Sequence, residues 1–166
     1  DYRNIIDKYS CNGERIVVFG LANEQITGEA VTKAITPMAF IILENEIRET
    51  AKETFEYFKK QGVAIKVISG DNPLTASKVA IRAGIDDATH YIDATTLKTD
   101  KDIADAVQKY TVFGRVIPEQ KKKIIEAFKM AGNVVAMTGD GVNDVLALKC
   151  ADCSVAMASG SEAASN

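Results

Sequence analysis

Short apolar runs alternate along the chain with longer segments in which apolar residues recur every three or four positions. The short runs predict β-strands, and the longer segments predict amphipathic helices. The predicted strands cover residues 15–21, 38–43, 63–68, 91–92, 111–113, 133–137 and 154–157, and the predicted helices cover residues 47–60, 73–83, 101–109, 118–130 and 142–149. Because strands and helices alternate, we predict an α/β fold with a doubly wound parallel sheet and right-handed crossovers.

Local residue chemistry supports several of these boundaries. Asn72 is an N-cap residue before the second helix, and Gly84 is a C-terminal stop for it. Thr99 or Asp100 is expected to cap the third helix. The run 38–43 (MAFIIL) contains no polar residue, which is typical of a strand covered on both faces.

Composition and charge exclude some functions. Hydrophobic residues make up 46% of the chain and charged residues 26%, which suits a globular domain with a substantial core. The net charge of −3 and the isoelectric point of about 5.3 argue against a nucleic-acid partner. No apolar run approaches the ~20 residues that a membrane span needs, and no signal peptide is recognisable. The chain itself is therefore expected to be a soluble piece.

Three cysteines are too few for a disulfide framework, and a reducing compartment fits them best. Cys150 and Cys153 form a C-x-x-C motif, which suits a redox pair or half of a metal site. The alternative is two small buried residues around a helix end. No second pair exists, since Cys11 stands alone and the single histidine, His90, is distant in sequence. We therefore favour the structural interpretation.

Polar loops follow three of the predicted strands, at residues 69–71, 114–121 and 138–144. The carboxyl ends of parallel strands meet at one edge of an open sheet, and ligands bind there. The loops carry hydroxyls, glycines, a lysine and carboxylates. Each of these groups has a use in handling phosphate, so this edge is the candidate site.

Several residues in these loops suit phosphoryl transfer. Ser69 offers a hydroxyl donor, and Gly70 lets backbone N–H groups approach an anion. Lys121 can neutralise phosphoryl oxygens, and Asn143 can donate an amide hydrogen bond. Each feature alone has a structural explanation: Ser-Gly-Asp can be a turn with a helix cap, and Lys121 lies in a run of lysines typical of a solvated helix face. Their order along the chain favours a phosphate site.

Two aspartates in the third loop could hold a magnesium ion. Mg²⁺ takes one or two carboxylates together with phosphate oxygens and water, and Asp140 and Asp144 supply the carboxylates. Gly139 and Gly141 let the backbone turn sharply beside them, although Asp-Gly is also a common turn pair. In combination with the other loops, these residues predict metal-assisted phosphoryl transfer.

Three segments resemble the haloacid dehalogenase-like superfamily and, more narrowly, the phosphorylation domain of P-type cation-transporting ATPases. They are MTGDGVND at 137–144, GRVIPEQK at 114–121 and SGD at 69–71. The resemblance covers most of the chain from about residue 37 onward. It implies Mg²⁺ and ATP as cofactors, and a parent enzyme that works through an aspartyl-phosphate intermediate.

The resemblance also implies a role for each matching position. The residues implied to bind or organise the phosphoryl group are Ser69, Gly70, Lys121, Asn143 and Asp144. The residues implied to hold magnesium are Asp140 and Asp144, and those implied to contact the nucleotide are Arg115, Asp71 and Arg48. Arg48 matches the arginine of a family Asp-Pro-x-Arg segment, but Asn45 replaces its aspartate, which weakens any nucleotide role for Asn45.

The family's nucleophile is absent from this sequence. The family phosphorylates the aspartate of an Asp-Lys-Thr-Gly-Thr motif after a central strand, and no such motif occurs here. The nearest Asp-x-Asp, at residues 100–102, is better explained by helix capping. We therefore expect the chain alone to be inactive and its sheet to be incomplete. A neighbouring chain, as in a dimer, or the N-terminal segment could close the gap.

The resemblance further implies a place in a larger pump. Residues 1–36 would be the C-terminal tail of the nucleotide-binding domain and a connection, and residues 37–166 would be the second part of the phosphorylation domain. The partners would be the transmembrane, actuator and nucleotide-binding parts of the same pump, and the chain would be a cytoplasmic domain of a plasma-membrane protein. The segment 151–164 resembles a bacterial branch of the family. Because most adenine contacts would lie outside this chain, we expect weak or no ATP binding by it alone.

Two alternatives remain open at this point. A soluble phosphatase of the same superfamily would use the same serine, lysine and aspartates, but it needs an Asp-x-Asp after a strand to act as nucleophile and general acid. A non-catalytic binding module would explain the absent nucleophile. Against the binding module, Ser69, Lys121, Asp140 and Asp144 are all present, whereas a decayed site is expected to lose some of them.

Overall fold

Strands and helices alternate along most of the chain, as the hydrophobic pattern predicts. A computed structural model describes residues 2–10, 14–22, 35–44 and 46–157. The strands are β1 (Arg15–Ala22), β2 (Ile35–Leu43), β3 (Val67–Ile68), β4 (Tyr91–Asp93), β5 (Val112–Gly114), β6 (Ala136–Gly139) and β7 (Cys153–Ala156). The helices are α1 (Tyr2–Ser10), α2 (Ala51–Lys60), α3 (Pro73–Ala83), α4 (Asp100–Lys109), α5 (Pro118–Met130) and α6 (Val145–Cys150), with 3₁₀ turns at Ala94–Thr96 and Val142–Asp144.

The predicted helix caps are confirmed. The Asn72 side chain accepts a hydrogen bond from the backbone of α3, and Gly84 ends that helix in the left-handed conformation at φ 87°. Thr99 caps α4 through a capping box, in which its hydroxyl accepts from the Asp102 N–H and the Asp102 carboxylate accepts from the Thr99 N–H. Asp102 is therefore part of a helix cap, as expected.

Parallel pairing is confirmed, but the described strands form three separate sheets rather than one. One sheet has the order β3-β5-β4 and another has the order β6-β7, and both are parallel. In contrast, β1 and β2 pair antiparallel, with an irregularity between Phe19 and Gly20. Hydrophobic periodicity reports which faces are apolar, but it carries no information on which strands pair.

The prediction that the run 38–43 is covered on both faces is wrong within the described residues. Met38 is 62% exposed, and its cross-strand neighbourhood includes Phe19, which is also 62% exposed. An ion pair of 2.9 Å joins Glu44, just after β2, to Arg82 on α3. An uninterrupted apolar run shows that both faces are apolar, but the layers that would cover them are not among the described elements.

A shared core joins the two parallel sheets. Phe113 and Ile124 are fully buried, and the Phe113 and Phe128 rings meet edge to face with their centroids 6.3 Å apart. The partly buried Ile68 and Val135 each pack against two clusters, one around Phe113 and the other around Met137 of β6. The β3-β5-β4 and β6-β7 sheets are therefore held side by side by common side chains.

Other boundaries shift by a few residues. Only Val67–Ile68 of the predicted strand 63–68 pairs with a neighbour, and β6 begins at Ala136 rather than at residue 133. The predicted helix 142–149 consists of a 3₁₀ turn followed by α6. None of the described helices is both long and apolar enough to cross a membrane.

Candidate functional site

The loop after β3 is hydrogen-bonded to the loop after β5. The Arg115 N–H donates to the Asp71 carbonyl at 2.7 Å, and the Val116 N–H donates to the Ser69 carbonyl at 3.0 Å. Both loops leave the carboxyl end of the same parallel sheet, because β3 and β5 are paired neighbours. The structure therefore brings Ser69, Asp71 and Arg115 together at the predicted edge.

Ser69, which is partly buried, and Gly70, which is exposed, lie just before α3. The Ser69 hydroxyl oxygen accepts from the Asp71 N–H at 3.1 Å, so its own proton can be donated to an outside acceptor. A Cβ added to Gly70 would meet only the Val116 carbonyl, at 3.8 Å, and Gly70 is exposed. The space in front of this backbone is open, which suits the approach of an anion.

Gly114 lets the loop after β5 pack tightly against the start of α3. A Cβ at this position would lie 2.3 Å from Pro73 Cα and 2.5 Å from its nitrogen, so no side chain fits. The next residue, Arg115, has a left-handed backbone with φ 54°. Such a conformation is uncommon outside glycine and persists only where the surroundings hold it. Here the hydrogen bond to Asp71 and the packing of Gly114 hold it.

A buried ion pair links α5 to the end of β6. Lys121 Nζ lies 2.6 Å from Asp144 Oδ1, and the two side chains are only 13% and 9% exposed. The other oxygen, Oδ2 of Asp144, accepts from the Gly141 N–H at 3.3 Å. Removing either charge from such a pair leaves its partner buried and uncompensated. Lys121 is therefore not part of a solvated helix face, although Lys122 and Lys123 beside it are half exposed.

Gly139 makes room for this arrangement. A Cβ at Gly139 would lie 2.7 Å from Asp144 Cβ, so the aspartate packs directly against the end of β6. Asp140, the next residue, is exposed, and none of the described residues forms a hydrogen bond or an ion pair with it. Asp140 and Asp144 thus stand at one strand end, four residues apart. Two carboxylates of this kind could hold Mg²⁺ together with phosphate oxygens and water.

Two predicted residues take no part in the contacts between the other candidate site residues. Asn143 is exposed in the 3₁₀ turn between β6 and α6. Arg48 is exposed in the segment before α2, and its side chain makes no hydrogen bond or ion pair with another candidate residue. Asn45 lies outside the described residues. The nucleotide roles implied for this segment stay predictions.

Asp93 contacts a predicted site residue, although the sequence analysis did not single it out. Its Oδ2 lies 2.8 Å from the Arg115 guanidinium, and its Oδ1 accepts from both the N–H and the hydroxyl of Thr95. The Thr95 hydroxyl is the main reason why the pKa of Asp93 lies below its usual value, and the Arg115 guanidinium contributes. Asp93 ends β4, one residue beyond the predicted strand 91–92, and its parallel partner is Gly114.

The C-x-x-C cysteines are free thiols at a helix end. Cys150 is the last residue of α6 and Cys153 is the first residue of β7. Their expected burial is not observed, since Cys153 is exposed and Cys150 is partly buried. Cys153 begins β7, which pairs with β6 in a two-stranded sheet. Among the described residues, no group of three or more His, Cys, Asp or Glu side chains could hold a metal ion.

Comparison with known proteins identifies related sequences. A family model described as a haloacid dehalogenase-like hydrolase matches residues 20–152. The probable cation-transporting ATPase exp7 of Streptococcus pneumoniae is 44% identical over 153 residues, which cover 91% of this chain and 20% of that protein. The calcium-transporting ATPase CtpE of Mycobacterium bovis is 43% identical over 158 residues, which cover 95% of this chain and 20% of that protein.

A more distant relative belongs to the same group of transporters. The magnesium-transporting ATPase, P-type 1, of Salmonella typhimurium is 29% identical over 167 residues, which cover 95% of this chain and 18% of that protein. The chain thus spans about a fifth of the length of these curated relatives. The family match includes both members of the buried ion pair, Lys121 on α5 and Asp144 in the 3₁₀ turn before α6.

Proposed function

Because the chain belongs to the haloacid dehalogenase-like hydrolase family, we propose that it is the phosphorylation-domain part of an ATP-driven cation pump that works through an aspartyl-phosphate intermediate. The observation that carries this proposal is the buried ion pair between Lys121 and Asp144 at the carboxyl end of β6. The relatives named as cation-transporting and calcium-transporting ATPases support it.

The proposed chemistry assigns a role to each group at the sheet edge. The Ser69 hydroxyl and the Gly70 N–H donate to the phosphoryl oxygens, and Lys121 shares its charge between those oxygens and Asp144. Asn143, exposed beside this pair, supplies a further amide donor. Charge-assisted donors of this kind stabilise the charge that develops on the equatorial oxygens during transfer.

Magnesium and nucleotide complete the proposed site. Asp140 and Asp144 would hold Mg²⁺, which supplies charge neutralisation between the phosphate oxygens. Arg115 would contact the nucleotide, since its guanidinium is half exposed at the edge where ligands of parallel sheets bind. Asp71 and Arg48 are proposed as further nucleotide-side residues; both are exposed.

The nucleophile would come from a strand that is not part of this chain. β3 pairs with β5, and β6 pairs with β7. Neither β3 nor β6 has a described strand on its other side. Ile68 of β3 and Val135, just before β6, pack against the same two clusters, so these open edges lie near each other. We place a strand of the longer protein between them, ending in the aspartate that accepts the phosphoryl group. The isolated chain would then form no phosphoenzyme, and a second copy could occupy the slot.

We also propose a division of the chain near residue 37. Residues 1–36 would be the tail of the nucleotide-binding domain, and residues 37–166 the second part of the phosphorylation domain. The boundary falls inside β2, so the β1–β2 ribbon would span the junction. The remaining four-fifths of a relative's length would supply the transmembrane, actuator and nucleotide-binding parts. The chain would then lie on the cytoplasmic side of a bacterial plasma membrane.

A soluble phosphatase is the weaker proposal for a structural reason. Such an enzyme needs two free carboxylates in an Asp-x-Asp after a strand. Here Asp102 accepts hydrogen bonds from the Lys98 and Thr99 N–H groups as part of a helix cap, and Asp100 pairs with Lys123. Neither carboxylate is available at the sheet edge.

The test is acid-stable labelling of the full-length parent protein with γ-labelled ATP and Mg²⁺. We expect a label that hydroxylamine removes from the parent, and no label on this chain alone. Lys121→Ala in the parent should reduce the label at least tenfold. Lys122→Ala is the matched control, because Lys122 forms an ion pair of 3.6 Å with the exposed Glu126. An unlabelled parent, or hydrolysis of a phosphate monoester by the isolated chain, would refute the proposal.

A further inference from the structure

We propose that Asp93 is a positioning residue for Arg115, holding its guanidinium at the sheet edge so that it binds nucleotide in a ready-made geometry. This inference rests on the proposed function, which makes Arg115 a nucleotide contact. It adds a residue on a different strand, 22 positions away in sequence, that acts only through the arginine.

The backbone of Arg115 sets the starting direction of its side chain. Its φ of 54° turns the residue out of the extended path of β5. Two neighbours enforce that turn: the Asp71 carbonyl, which accepts from the Arg115 N–H at 2.7 Å, and Pro73, which packs against Gly114. Because the backbone is held this firmly, the position of the guanidinium depends mainly on what its long side chain meets.

The Arg115 guanidinium contacts the Asp93 carboxylate, which Thr95 already orients. Thr95 occupies Oδ1 with two hydrogen bonds, from its N–H at 3.0 Å and from its hydroxyl at 2.7 Å. The remaining oxygen, Oδ2, accepts from Arg115 Nη1 at 2.8 Å. These bonds keep the pKa of Asp93 below its usual value, so the carboxylate is charged at neutral pH. Parallel pairing of Asp93 with Gly114 brings the two residues to the same level of the sheet.

The contact leaves most of the arginine available. A guanidinium has five N–H donors, and the contact with Asp93 is made through Nη1. The Arg115 side chain is 52% exposed, whereas Asp93 is 24% exposed. An exposed ion pair of this kind contributes little to folding stability. Its larger effect is to remove rotamer freedom from Arg115 before a ligand binds, which lowers the entropic cost of binding.

The test uses the full-length parent protein and the variant Asp93→Asn. Asparagine keeps an oxygen that can accept from Thr95 but presents no charge to Arg115. The first readout is the equilibrium dissociation constant of an ATP analogue with a β,γ-methylene bridge, measured by calorimetry. We expect it to rise about threefold to tenfold, as for loss of one immobilised side chain. The KM for ATP should rise by the same factor, with kcat within about twofold of wild type.

A double-mutant cycle separates positioning from a general structural effect. In an Arg115→Ala background, Asp93→Asn should change the dissociation constant no further, because Asp93 acts through the arginine. Asp100→Asn is the control. It breaks an exposed ion pair of 2.6 Å between Asp100 on α4 and Lys123 on α5, and it should leave the dissociation constant of the analogue unchanged. Equal effects of Asp93→Asn in both backgrounds, or no effect in either, would overturn the inference.

The two proposals fail in different ways. If the wild-type parent neither binds the analogue nor forms a phosphoenzyme, the proposed function fails. If the wild-type parent does both, and Asp93→Asn binds the analogue with wild-type affinity, only the role of Asp93 fails. A fall in kcat with an unchanged KM would also contradict positioning of a nucleotide contact.

Discussion

Removing the charge of Lys121 should destabilise this chain much more than removing the charge of its neighbour. Lys121→Met keeps most of the aliphatic side chain and deletes the ammonium group that lies 2.6 Å from Asp144 Oδ1. The Asp144 carboxylate, 9% exposed, would then keep only the hydrogen bond from the Gly141 N–H at 3.3 Å. Breaking a buried pair in this way typically costs about 3–5 kcal/mol, because one charge stays buried without compensation.

The matched control is Lys122→Met on the same helix. Lys122 lies 3.6 Å from Glu126, and both side chains are nearly half exposed. Exposed pairs of this kind contribute about 0–1 kcal/mol. The two substitutions have the same chemistry and adjacent positions, so intrinsic helix propensity affects both equally. Any difference between their free energies of unfolding therefore reports the burial of the Lys121–Asp144 pair.

Urea unfolding followed by far-ultraviolet circular dichroism measures both effects. With a denaturant dependence of about 2 kcal/mol per molar urea, Lys121→Met should lower the midpoint by about 2 M and Lys122→Met by less than about 0.5 M. Adding Asp144→Asn to Lys121→Met should restore part of the loss, because the double variant buries no unpaired charge. Equal midpoints for the two single variants, or a further loss in the double variant, would refute the reasoning.

Two more predictions concern the packing of the sheet edge and the response to acid. Gly114→Ala should lower the free energy of unfolding by about 1–3 kcal/mol, because the new Cβ would lie 2.3 Å from Pro73 Cα. Gly70→Ala should lower it by less than about 1 kcal/mol, because the nearest contact of its Cβ is at 3.8 Å. The urea midpoints of the two variants check this difference. The hydrogen bond from Lys129 is the main reason why the pKa of Asp152 lies below 3.8 in the folded protein. The charged Asp152 therefore contributes its full stabilisation of the folded state above pH 3.8, and this stabilisation is lost as the pH falls through the lower folded-state pKa. Asp152→Asn should therefore be destabilised relative to wild type at pH 6, and the difference should shrink at pH 3; a difference that does not change with pH would contradict this.

Much of the candidate site follows from the sequence because its chemistry is local. Ser69, Gly70 and Asp140 each stand within two residues of the end of a strand, Asp144 lies in the 3₁₀ turn that follows β6, and the carboxyl ends of parallel strands share an edge. The caps at Asn72 and Thr99 depend on hydrogen bonds that reach only two or three residues. Short-range features of this kind are predictable from the order of the residues alone.

Other parts of the site could not be predicted, because their partners are far apart in sequence. Lys121 is predicted as a site residue, but only the packing of α5 against α6 and the 3₁₀ turn places it against Asp144, 23 residues away. Asp93 belongs to a strand of three residues, and only its pairing with β5 brings it to Arg115. No local pattern predicts these two pairings, although Lys121 itself is a predicted site residue.

The sequence by itself determined the order of strands and helices from β1 onward, most helix ends and the set of polar loops, because these depend on hydrophobic periodicity and on hydrogen bonds between close neighbours. It did not predict α1. Only the tertiary structure decided that β1 and β2 pair antiparallel, that the parallel strands divide into two sheets around a shared core, and that Lys121 is buried. These outcomes depend on packing between distant segments, where the burial of a charge or the pairing of a strand is set by the whole assembly of elements rather than by the residues beside it.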